Sequence, residues 1–97
     1  NITAYEEITN KTIVEKILDI LKKPHSMIEY VGDRPGHDKR YSIDCTKIEN
    51  QTGWRPKYDF DDALKQTVTW YLNNQSWWEP LIDDDTLHPQ PWTLNWK

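Results

Sequence analysis

The sequence predicts a mixed α/β segment in which helices outweigh short strands. Three observations carry this. Two stretches, about 11–22 and about 60–74, step their apolar residues at helical spacing. A third stretch, about 45–52, is shorter but carries helix punctuation at both ends. Between and before them lie short runs with β character, at 1–5, 28–31 and 40–43.

Taken in order, residues 1–5 hold Ile2, Thr3 and Tyr5 and read as the end of a strand. The first helix follows, with Thr9 or Asn10 able to cap its opening turn. Ile13, Val14, Ile17, Leu18 and Leu21 form one apolar stripe, which reads as core. Lys22 and Lys23 close the helix, where cations suit the macrodipole, and Pro24 ends it. His25, Ser26 and Met27 make a surface connector into the apolar run at 28–31, and Gly32 adds slack. Residues 40–43 alternate polar and apolar, as a second extended stretch does. Asp44 is placed to cap the short helix, whose Cys45 and Ile48 share a buried face. Gly53 stands where a helix C′ glycine belongs, Trp54 anchors the turn, and Pro56 prevents the helix from continuing.

Asp59 caps the last long helix, with Asp62 three residues on in the manner of a capping box. Phe60, Ala63, Leu64, Thr67, Val68, Tyr71 and Leu72 give it a continuous apolar face, with Trp70 at the edge. From Gln75 the periodicity dissolves. Trp77 to Leu81 reads as packing back on the helix, and 83–85 is a solvated acidic run. Trp92 and Trp96 read as docking on the body or on a neighbour, or as part of a disordered tail. This organisation predicts one unit over 1–81 and a tail over 82–97.

Bulk properties narrow the function. The 97 residues are 36% hydrophobic and 29% charged, which suits one small domain with a modest core. A formal net charge of -4 argues against a nucleic-acid partner. No apolar run approaches the roughly 20 residues of a bilayer span, so no membrane association is expected. Cys45 is the single cysteine, which favours a reducing, cytoplasmic setting and leaves no internal disulfide. Asp85 and His88 do not make a metal site by spacing, and no metal is expected.

The stretch built to meet a ligand is Asp33-Arg34-Pro35-Gly36-His37-Asp38-Lys39-Arg40-Tyr41-Ser42-Ile43-Asp44. Pro35-Gly36 reads as a tight turn, because proline presets φ and glycine tolerates φ > 0. Arg34, His37, Lys39 and Arg40 crowd cations into an otherwise acidic chain. A guanidinium fork matches phosphate oxygens, an imidazole adds a donor, and a turn aims N–H groups outward. The loop therefore reads as an anion site, set against the alternative of a solvated turn whose charges pair among themselves.

That string resembles the hallmark of the dTDP-glucose 4,6-dehydratases, extended short-chain dehydrogenases/reductases that act on nucleotide sugars. The resemblance continues through Thr46-Lys47-Ile48, Gly53-Trp54-Arg55-Pro56 and Thr69-Trp70-Tyr71-Leu72-Asn73-Asn74, and begins at Asn1-Ile2 and Glu7-x-Thr9-Asn10. It covers roughly 1–81 in register. It departs at Thr3 and Ala4, where the family usually has glycine. Related epimerases and decarboxylases share the Arg-Pro-Gly core; His37-Asp38 and Arg40-Tyr41 set the dehydratases apart.

The resemblance implies the C-terminal, substrate-binding portion of a two-domain Rossmann-type enzyme, with the Rossmann domain outside this chain. The chain starts at Asn1 without an initiator Met, inside the family pattern, and so reads as a fragment. Its glycines, Gly32, Gly36 and Gly53, do not make a dinucleotide fingerprint, and no Tyr-x-x-x-Lys pair is present. No catalytic, cofactor-binding or metal-binding residue is therefore expected here. The complete enzyme, by resemblance, is a lyase of deoxysugar (rhamnose) biosynthesis. It oxidises C4 of dTDP-glucose with bound NAD, eliminates water across C5–C6 and returns the hydride to C6. Arg34 and His37 match the positions that contact the substrate diphosphate, Arg40 reads as pairing structurally with Asp33 or Asp38, and Tyr41 as packing. The implied partners are a dTDP-sugar and a second copy in a homodimer. The alternatives are a stand-alone nucleotide-sugar-binding module, a fragment of a related epimerase or decarboxylase, and a purely structural remnant.

Overall fold

A computed structural model describes residues 1–83, 86 and 87. The order is α1 (Asn10–Ile20), a 3₁₀ turn (His25–Met27), α2 (Thr46–Thr52), α3 (Phe60–Asn73), α4 (Gln75–Trp78) and a second 3₁₀ turn (Glu79–Leu81).

Helix α1 starts where the Thr9 hydroxyl accepts the Thr12 N–H at 3.1 Å. It ends two residues before the lysines expected to close it. Lys22 enters the left-handed region at φ 54°, and the Lys23 N–H turns back to the Leu18 carbonyl at 2.9 Å. This doubled-back ending stops the helix before Pro24 does. Helix α2 begins at Thr46 rather than Cys45, because the Asp44 carboxylate takes the Thr46 N–H at 2.9 Å and its hydroxyl at 2.6 Å. Its end is Gly53, at φ 70°, whose N–H closes on the Glu49 carbonyl. Asp59 caps α3 through the Asp62 N–H at 2.9 Å.

The packing joins α1 to α3. Lys16 on α1 reaches Asp61 on α3 at 2.6 Å, and Glu6, just before α1, accepts the Phe60 N–H at 3.3 Å. The core is small: among the described residues only Cys45 and Val68 are buried. Ile13, Ile17, Leu18, Leu21, Ala63 and Leu64 are half-buried, whereas Val14 lies exposed. The far half of the expected α3 face, Tyr71 and Leu72, is also exposed. Trp70 meets Trp77 edge to face at 5.4 Å, and the Trp78 indole donates to the Tyr71 carbonyl at 2.8 Å. Trp77 and Trp78 thus do turn back on α3, whereas Leu81, expected to join them, is 64% exposed.

The expected strands are absent among the described residues. Residues 1–5, 28–31 and 40–43 are irregular or extended, with Ile28 at φ -76° and ψ 121°. A strand exists only through a partner. Between residues 29 and 44 no backbone–backbone hydrogen bond reaches another described segment. Expected features at Asp84, Asp85, His88, Trp92 and Trp96 fall outside the described residues.

Candidate functional site

The loop forms the turn that Pro35-Gly36 predicts, with Gly36 at φ 69°. Its side chains sort into two groups. Asp33 organises the first: its Oδ1 accepts the Arg34 N–H at 2.8 Å and His37 Nδ1 at 2.6 Å. The bond from His37, followed by the one from Arg34, holds the Asp33 carboxyl below its usual range. With Nδ1 committed to Asp33, a protonated ring keeps its Nε2–H for another acceptor. The Arg34 guanidinium makes no hydrogen bond or ion pair among the described residues.

Glu7 organises the second group. Its Oε2 accepts Arg40 Nε at 2.8 Å, and its Oε1 accepts Arg40 Nη2 at 2.6 Å and the Ser42 hydroxyl at 2.7 Å. Arg40 is therefore a structural pairing residue as expected, but its partner is Glu7, not Asp33 or Asp38. No sequence signal could name a partner 33 residues away. Tyr41, expected to pack, is instead 67% exposed at the rim of the cleft beside the loop.

An open cleft of about 820 Å³ lies between this loop and the start of α1, lined by Glu7, Thr9, Asn10, Asp33, His37 and Lys39 among others. His37 lines it; Arg34 does not, so the two loop residues flank the turn without sharing this wall. The positive end of α1 faces the cleft, which suits an anion. Carboxylates also line it, and three of them are occupied: Glu6 by Phe60, Glu7 by Arg40 and Ser42, Asp33 by His37. Directed donors, not a positive field, would have to select an anion here.

The Arg40 and Ser42 bonds hold the Glu7 carboxyl down to about 2, from an ordinary 4.5. A depressed carboxylate stabilises the fold above its unfolded value and loses that contribution as pH falls to its folded value. The stability gap between wild type and Glu7→Gln should therefore be flat above about pH 4.5 and close between 4.5 and 2. Denaturant titrations across that window check this; a gap that stays constant down to pH 2 overturns it.

Beyond the loop, Cys45 and then Glu49, beside the Tyr5 hydroxyl, push its ionisation upward. Tyr5 itself sits at φ 61°, a conformation unusual for a residue with a side chain. Cys45 is sealed, with Sγ 3.7 Å from the Thr3 carbonyl, so it has no access for chemistry. No group of three or more metal-ligating side chains occurs among the described residues, and no helix there is long and apolar enough to cross a membrane.

Comparison with known proteins sets this geometry in a family. The family model described as GDP-mannose 4,6 dehydratase matches residues 1–67. A dTDP-glucose 4,6-dehydratase of Streptomyces niveus is 45% identical over 85 residues, covering 88% of this chain and 25% of the relative. One from Escherichia coli is 40% identical over 94 residues, covering 86% of this chain and 26% of the relative. The crystal structure of dTDP-glucose 4,6-dehydratase from Bacillus anthracis str. Ames in complex with NAD superposes with a TM-score of 0.77 at 46% identity, over 84% of this chain and 26% of that one. The chain thus spans about a quarter of the length of the relatives it matches. A family model that takes in well over half of the chain, together with a shared fold at this identity, settles its kinship: the chain belongs to the GDP-mannose 4,6 dehydratase family, and the relatives it resembles are dTDP-glucose 4,6-dehydratases.

Proposed function

We propose that this chain is the substrate-binding portion of an NAD-dependent dTDP-glucose 4,6-dehydratase, a lyase converting dTDP-glucose to dTDP-4-keto-6-deoxyglucose and water. In this reading residues 1–81 form the nucleotide-sugar-binding unit and 82–97 a tail. Arg34 and His37 grip the diphosphate. The whole enzyme is cytoplasmic and works as a homodimer.

The observation that supports the reading is the Pro35-Gly36 turn, beside which the Arg34 guanidinium makes no hydrogen bond or ion pair among the described residues while Asp33 orients His37. An unpaired guanidinium can give two parallel donors to phosphate oxygens. When protonated, an imidazole held through Nδ1 keeps its Nε2–H to give to an anion. The diphosphate is the fixed charge of such a substrate, and holding it orients the distant sugar.

The residues of this chain do not fit NAD. Gly32, Gly36 and Gly53 are scattered, and none follows a strand into a helix as a dinucleotide cradle requires. The cofactor belongs to the three quarters of the relatives that lie outside the match.

Supplying the whole protein with dTDP-glucose and NAD tests the reading. Appearance of the 4-keto-6-deoxy product is the expected result. Binding of dTDP-glucose without turnover would favour a stand-alone binding module, and failure of both would discard the assignment.

A further inference from the structure

Loop 33–42 carries the proposed diphosphate contacts but is poorly attached. Its backbone forms no hydrogen bond to another described segment. Its side-chain hydrogen bonds to other segments, among the described residues, all end on one group, the Glu7 carboxylate. Glu7 itself stands on firm ground. The Cys45 thiol, just before α2, reaches the Thr3 carbonyl at 3.7 Å, Glu6 holds the first N–H of α3, and Thr9 caps α1. The stretch 3–9 is thus tied to α1, to α3 and to the residue before α2, and among the described residues Glu7 alone joins it to the loop by side-chain hydrogen bonds.

The chemistry of the tie is directional. Both Glu7 oxygens meet two nitrogens of one guanidinium, a fork-to-fork geometry that sets orientation as well as distance. The pair is exposed, with side chains 70% and 46% accessible, so its worth lies in orientation more than in stability.

We propose that Glu7 is a positioning residue for the diphosphate loop: by holding Arg40 and Ser42 it fixes the arrangement in which the Pro35-Gly36 turn presents Arg34 and His37. The proposal rests on the reading of the loop as the diphosphate site, and the test separates the two.

Calorimetry on the whole protein with dTDP and dTMP compares wild type with Arg34→Ala, Glu7→Ala and Arg40→Lys. Arg34→Ala should weaken dTDP binding about tenfold or more. If it does not, the reading of the loop fails, whatever Glu7 does. Given that loss, Glu7→Ala and Arg40→Lys should each weaken dTDP by about tenfold and lower the preference for dTDP over dTMP. The double variant Glu7→Ala/Arg40→Ala should be no weaker than the worse single one, since both remove one tie. Unchanged dTDP affinity in Glu7→Ala overturns the role of Glu7 alone. So does an equal loss for dTDP and dTMP, the mark of general damage. Should Glu7→Ala fail to fold, Arg40→Lys, which keeps the charge and removes the fork, decides the matter by the same two readings.

Discussion

Replacing Arg34 with alanine should lower kcat/KM of the whole enzyme for dTDP-glucose by about 10- to 150-fold, corresponding to about 1.5–3 kcal/mol for a charged hydrogen bond. Most of the loss should appear in KM, with a part in kcat, because an unheld diphosphate lets the sugar wander from its reactive pose. The structure makes this substitution unusually clean. The guanidinium makes no hydrogen bond or ion pair among the described residues, so its removal forfeits only its attraction to the neighbouring Asp33 carboxylate. Arg34→Lys should recover only part of the activity, since an ammonium keeps the charge and lacks the planar fork. Steady-state kinetics decide; wild-type values for Arg34→Ala would remove the residue from the site.

The second large effect concerns the core. Val68→Asp should cost about 3 kcal/mol or more, because it sets an unpaired carboxylate at the one buried side chain of α3. Val68→Ala should cost less, about 1.5 kcal/mol for two methyl groups. With so few buried residues to share the load, the aspartate variant should release the α1–α3 pair, visible as lost protection of their amides in hydrogen exchange. Protection equal to that of Val68→Ala would show that this pairing does not depend on Val68.

The features that could be read from the sequence are those decided within a few residues. Thr9, Asp59 and Gly53 act on neighbours three or four positions away, and each does what its type predicts. The bend at Pro35-Gly36 is local in the same sense. The misreadings involve distance. Residues 28–31 and 40–43 have strand composition, but composition cannot supply a partner ladder. Arg40 was surrounded by nearby carboxylates that looked sufficient, and the fork went to Glu7 instead. Lys22 shows the converse, a local surprise: a side-chain-bearing residue took a left-handed ending that composition assigns to glycine. At the site, the legible part was the identity of the donors. What tethers them was not, because the tether depends on how 3–9 meets α1, α3 and the residue before α2.

The unladdered stretches have a practical consequence. Tyr30, Val31, Tyr41 and Ile43 are exposed on backbone whose N–H and C=O groups find no ladder among the described residues. Such an edge is adhesive toward extended chain of any origin, including further copies of itself. Handled in isolation at high concentration, the 97-residue chain is thus inclined to aggregate through these two segments, and lysines placed at Tyr30 and Ile43 are the first solubilising changes to make.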